Sequence, residues 1–144
     1  DRSRSYPCPP TSNPPEETAM TPIIERPLAI LLRLEGFAAF AAGIAGYALL
    51  ADGWLMLAVL ALAPDLAMAG YLLGPRAGAL AYNAAHTYLG PALLAAATWF
   101  LAPALLPAAC VWVAHIGIDR ALGYGLKSST GFGVTHLGRI GKAA

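Results

Sequence analysis

From residue 28 onward apolar residues dominate, in stretches long enough to cross a bilayer, which takes about 20 residues per helical span. Four spans are predicted, over residues 28–50, 54–73, 79–100 and 104–122. The links between them are short: Asp52 and Gly53, then "GPRAG", then "LAPAL". Short links make sequential helices antiparallel neighbours, so the predicted fold class is all-α, an up-and-down membrane bundle of four transmembrane helices over residues 27–123. Pro64 and Pro91 fall inside spans, where a kink is tolerated once neighbours satisfy the freed carbonyls. Abundant Ala and Gly allow the helix backbones to approach closely.

The flanks follow a different pattern. Residues 1–26 are rich in Pro, Ser and Thr with no apolar period, which predicts a disordered tail. Met20 reads as a natural start, making residues 1–19 an upstream extension or a docking tail. No short apolar segment with a small-residue cleavage site marks a cleavable signal. Residues 124–144 are glycine-rich and are predicted to form a cytoplasmic loop or tail.

Composition agrees with the pattern. The chain has 144 residues, 58% hydrophobic and 12% charged, against about 25% charged in a soluble domain. A net charge of +1 and the lack of a basic stripe interleaved with aromatics argue against nucleic acid as a partner. Cys8 and Cys110 stand in a polar tail and a predicted span, so no disulfide framework is expected. Lys and Arg avoid the first and third links and cluster before the first span, in its first turns, at Arg76 and from Arg120 onward. By the positive-inside rule both termini and the "GPRAG" link are cytoplasmic.

Candidate chemistry enters with the polar groups inside the spans. Counted from the cytoplasmic ends, Glu35, Asp65, His86 and His115 each lie about seven or eight residues in, roughly 10–12 Å deep at ~1.5 Å per residue. Asp119 lies one turn nearer the cytoplasm, on the same face as His115. An ionisable group at bilayer depth costs ~2.5–3.5 kcal/mol, so five facing lipid are excluded. They must face inward, pair, bind something or line a wet cavity. Arg33 and Glu35 are two apart and point to different faces, so Arg33 is expected to snorkel to the interface.

Imidazole and carboxylate together are the ligand set of divalent transition metals such as zinc, and H-x-x-x-D places one of each on a single helical face. The metal ligands expected are Asp65, His86, His115 and Asp119. Glu35 is the expected general base acting on water, and His136 in "THLGRIG" a further ligand or proton donor if the tail folds back. The same residues also suit a purely structural network: His115 bonded to Asp119, Asp65 paired with Arg33, and His86 satisfied beside Asn83 and Tyr82. A proton or ion relay is a third reading, but no polar residues continue it into the outer half of the bilayer. There is no G-x-S-x-G elbow, phosphate-cradling glycine loop or H-E-x-x-H.

"RLEG" (33–36), "APDLAMAGYLLGPRAGALAYNAAHTY" (63–88), "AHIGIDRALGYGLK" (114–127) and "TGFGVTHLGRIG" (130–141) together resemble a family of small bacterial membrane proteins known as domain of unknown function 4260. The resemblance covers most of residues 28–141 and implies four spans in the inner membrane with no assigned activity. The order Pro-Asp, His-Thr, His-x-x-x-Asp is also similar to membrane-bound metal-dependent hydrolases of the LexA-regulated type. Those carry Pro-Asp-x-Asp, His-Arg-x-x-x-His-Ser and Ser-His-x-x-x-Asp. Asp65, His86, His115 and Asp119 match; Ala67 replaces the second Asp, and Asn83 or Tyr82 stands for the first His of the middle motif. These departures remove ligands, so the resemblance implies one metal or a scaffold that has lost its chemistry.

The expected function is a metal-dependent hydrolase of a membrane or lipid-like substrate, with its pocket open to the cytoplasm and the lipid bilayer as its setting. The alternative is a non-enzymatic accessory subunit of a larger membrane protein complex.

Overall fold

A computed structural model describes residues 24–140; the expected tail before residue 24, with Cys8, lies outside them. The described chain is mostly helical, in the order α1 (Arg26–Leu50), α2 (Trp54–Leu62), a 3-10 helix (Pro64–Leu73), α3 (Pro75–Ala85), α4 (Leu89–Phe100), a short 3-10 turn (Pro103–Leu105) and α5 (Leu106–Leu122). Three helical stretches are long and apolar enough to cross a membrane: Arg26–Leu50, Trp54–Leu73 and Pro103–Leu122. The apolar windows of the first two are only 11% and 6% buried. Leu31, Leu34, Leu55, Leu62 and Leu72 therefore point outward, as lipid-facing side chains do.

α5 is the centre of the bundle and buries Ala109, Val111, Ala114, His115, Ile116 and Gly117. Its main partner is α1, and glycines set how close the two come. A Cβ on Gly117 would lie 2.5 Å from the Phe40 nitrogen, and one on Gly43 would lie 2.5 Å from the Cys110 oxygen. The helices touch backbone to backbone, a packing that only small residues permit. α5 ends at Gly123, whose φ of 96° allows the Gly123 amide to bond Arg120 O and the Tyr124 amide to bond Asp119 O. That is a Schellman closure, and it turns the chain back toward the bundle.

Two expected spans are irregular. The second continues from α2 into ten residues of 3-10 helix beginning at Pro64. The stretch expected over 79–100 is broken at His86–Tyr88 into α3 and α4. Pro91 has no N–H for the Thr87 carbonyl one turn back, so a continuous helix would leave that acceptor unpaired.

The all-helical expectation also gives way in the tail. Residues 127–139 form a three-stranded antiparallel sheet, β1 (Lys127–Ser128), β2 (Gly131–Thr135) and β3 (Gly138–Arg139). Lys127 opposes Thr135, and Thr135 opposes Gly138. The sheet is docked rather than free. Asn83 on α3 receives the Lys127 amide at 2.7 Å and donates to the Lys127 carbonyl at 2.9 Å. Phe132 packs edge-on against Tyr71 of the 3-10 helix, with ring centroids 5.2 Å apart.

Candidate metal centre

Helical periodicity puts His115 and Asp119 on one face of α5, one turn apart. His86 arrives because α3 stops there: its backbone leaves the helical region (φ −110°, ψ 19°) while its amide still bonds Tyr82 O at 2.9 Å. Asp65 follows Pro64 in the first turn of the 3-10 helix. Three separate stretches of sequence thus deliver the four residues Asp65, His86, His115 and Asp119 to one place, each residue offering one donor atom, all within 4.8 Å of one another.

The spacing is informative. His86 Nε2 lies 3.1 Å from His115 Nε2, 3.6 Å from Asp65 Oδ1 and 3.5 Å from Asp119 Oδ2. His115 Nε2 lies 3.5 Å from Asp65 Oδ1 and 3.9 Å from Asp119 Oδ2. Four donors around one zinc-sized ion at about 2.0–2.2 Å would sit roughly 3.3–3.6 Å from each other in a tetrahedron. These five separations bracket that range, and the sixth, between the two carboxylates, lies within 4.8 Å.

Tyr82 organises the site three times over. Its carbonyl accepts a hydrogen bond from His86 Nδ1 at 2.9 Å. A carbonyl can only accept, so Nδ1 carries the proton and the neutral imidazole turns the Nε2 lone pair inward. Its ring stacks on the His86 ring at 3.7 Å, and its hydroxyl donates to Asp119 Oδ2 at 3.0 Å. Converging lone pairs from an imidazole and two carboxylates repel unless a proton, as in the 3.1 Å contact between His86 Nε2 and His115 Nε2, or a cation sits among them. Trp112 holds the helices in place by donating Nε1–H to Ala85 O at 2.7 Å.

Exposure is uneven among the four. The side chains of His86, His115 and Asp119 are 3%, 9% and 20% exposed, whereas that of Asp65 is 42% exposed. The centre opens at Asp65. An apolar cavity of about 250 Å³ is lined by Leu60, Pro64, Ala67, Ala85 and Trp112 among others, and Pro64 and Ala85 are the chain neighbours of Asp65 and His86.

Glu35 and His136 are not brought to this centre. They line a smaller cavity with Tyr88 and Arg120. Gly36 packs on the Arg120 Cβ, and Arg120 is turned about 100° around α5 from Asp119, so Glu35 follows Arg120 rather than the four-donor cluster. His136 Nδ1 accepts the Leu126 amide at 2.8 Å, fixing the ring at the edge of the sheet. Burial and the Arg120 charge push its imidazole below the ordinary value. Arg33 does not pair with Asp65; it donates to Leu122 O at 3.4 Å.

Sequence reasoning passed over Lys127. Its side chain is buried and its Nζ sits over the rings of Phe132 (3.9 Å), Tyr82 (5.0 Å) and Tyr124 (5.9 Å). Burial pushes its ammonium below the usual lysine value, and the charge of Asp119 opposes that shift. No spacing rule links Lys127 to α3, so nothing in the sequence signals it. The role of Tyr82 had a signal: it stands one helical turn before His86.

The sequence family described as "Domain of unknown function (DUF4260)" matches this chain over residues 29–140. No curated protein and no solved structure matches it, and the resemblance to the LexA-regulated hydrolases is not shown by these comparisons.

Proposed function

The chain belongs to the family of domain of unknown function 4260, and we propose that it is a multi-pass inner-membrane protein whose Asp65, His86, His115 and Asp119 hold one divalent cation of the zinc type for hydrolysis of a lipid-like substrate. The observation that carries this reading is the four-donor cluster with a lone pair of His86 held inward by the Tyr82 carbonyl. The residues fit the ion in type, number and spacing. When bound, such an ion acts as a Lewis acid toward a carbonyl or phosphoryl oxygen.

The protein's own groups do the rest. His86 and His115 close the buried side, Tyr82 orients Asp119, and the exposed Asp65 marks the approach for substrate and water. The apolar cavity beside Asp65 favours a hydrocarbon chain over a polar substrate. In this reading α3 and α4 together make the fourth crossing. The basic residues then fall at helix ends on one side, which the positive-inside rule assigns to the cytoplasm together with both termini.

The test is elemental analysis of detergent-purified full-length protein beside His86→Ala and His115→Ala. One zinc per chain in the parent, with less than about a tenth of that in either variant at unchanged helicity, is the expected result. A metal-free parent whose folding ignores chelators overturns the proposal. Co-purification of that metal-free parent in fixed ratio with a larger membrane complex would instead identify an accessory subunit.

A further inference from the structure

A second polar cluster lies on the other side of α5, away from the four donors. Glu35, Tyr88, Arg120 and His136 line a cavity of about 80 Å³ at the end of the bundle that carries the sheet, several times what a single water needs. Three of the four present hydrogen-bond donors, and their needs are not met within the described chain. The Tyr88 hydroxyl is buried and has no hydrogen-bond partner. The Arg120 guanidinium carbon sits over the Tyr88 ring, 4.4 Å from its centroid. Among the described residues no carboxylate lies within 4.0 Å of it, although Glu35 lines the same cavity. His136 accepts the Leu126 amide on Nδ1, so the neutral ring carries its proton on Nε2 as a donor.

A buried hydroxyl without a partner keeps its full desolvation penalty, and a guanidinium and a carboxylate that line one cavity without pairing leave room for a bridging group. The bridge must accept from Tyr88, Arg120 and His136, and donate to Glu35. A carboxylate has two oxygens in one plane and no proton to give. A phosphodiester has acceptors but no proton for Glu35 to receive. A singly protonated phosphomonoester has both: oxygens in several directions and one P–O–H. We propose that this cavity is a binding site for a phosphomonoester group, held by Arg120, Tyr88 and His136, with Glu35 selecting the monoester by accepting its remaining proton. The site uses none of the four metal donors, so it stands whether or not the metal reading does.

Two sources carry the same chemistry, a lipid with a terminal phosphate and free inorganic phosphate. Isothermal titration of the full-length protein in dodecyl maltoside, with dihexanoyl phosphatidate, dihexanoyl phosphatidylglycerol and sodium phosphate in turn, separates them. Phosphatidate is expected to bind, and the diester phosphatidylglycerol at least about tenfold more weakly. Tyr88→Phe, which keeps the ring under Arg120, is expected to weaken phosphatidate roughly 10- to 100-fold. Glu35→Gln is expected to narrow the gap between monoester and diester. Phosphatidate binding tighter than sodium phosphate supports the site and assigns it to a lipid headgroup; equal affinity supports the site and assigns it to the free anion. Diester binding as tight as monoester, no binding of any probe, or phosphatidate binding untouched by Tyr88→Phe in a protein of unchanged melting temperature overturns the proposal.

Discussion

Tyr82 shows how much one residue does here, since its carbonyl, ring and hydroxyl each fix a different part of the cluster. Tyr82→Phe removes only the bond to Asp119 and is expected to lower zinc affinity about 10- to 100-fold. Competition against a chromophoric chelator reads that loss, and circular dichroism should show the helices intact. At this scale the sequence was readable along one coordinate. Counting residues gives the depth of a group in a span, which is why Asp65, His86, His115 and Asp119 could be named together. Counting does not give the direction in which a group points once its helix has rotated to pack. Depth alone thus groups Glu35 with Asp65, His86 and His115, but Gly36 seats its stretch of α1 on the Arg120 side of α5.

At the scale of elements the apolar runs were legible and their interruptions were not. The glycines of the tail argued for a loop, because strands this short with so much glycine carry no β signal of their own. What makes them a sheet is tertiary: the paired bonds of Asn83 to Lys127 and the Leu126–His136 contact. This gives the sheet a pH dependence. The folded value of the His136 imidazole lies below its ordinary value of about 6.5, so its contribution to stability is fully present above about pH 6.5 and is lost as pH falls through the depressed folded value. A proton on Nδ1 also faces the Leu126 amide, donor against donor. Protection of the Leu126 amide against hydrogen exchange, taken relative to its intrinsic rate at each pH, is therefore expected to fall on acidification through that window. His136→Gln, which keeps an acceptor but does not titrate, should flatten the response.

For the whole molecule, an ion bound only by the folded chain adds stability by mass action, about 2.7 kcal/mol when free zinc is 100-fold above Kd. Chelator treatment is thus expected to lower the melting temperature of the parent, and to leave that of His115→Ala where it was. A shift of equal size in both would separate the chelator's effect from this centre. The four donors also impose an order of events. Asp65 and His86 are complete once α3 is made, but two donors hold an ion weakly. The other two ride on α5, which comes later in the chain and meets α1 only where glycines let the backbones touch. Under the proposed function, cation uptake is then a checkpoint on assembly. A chain whose last helix is misthreaded or undocked stays empty and unreinforced, and the cell's quality control meets it in that weaker state.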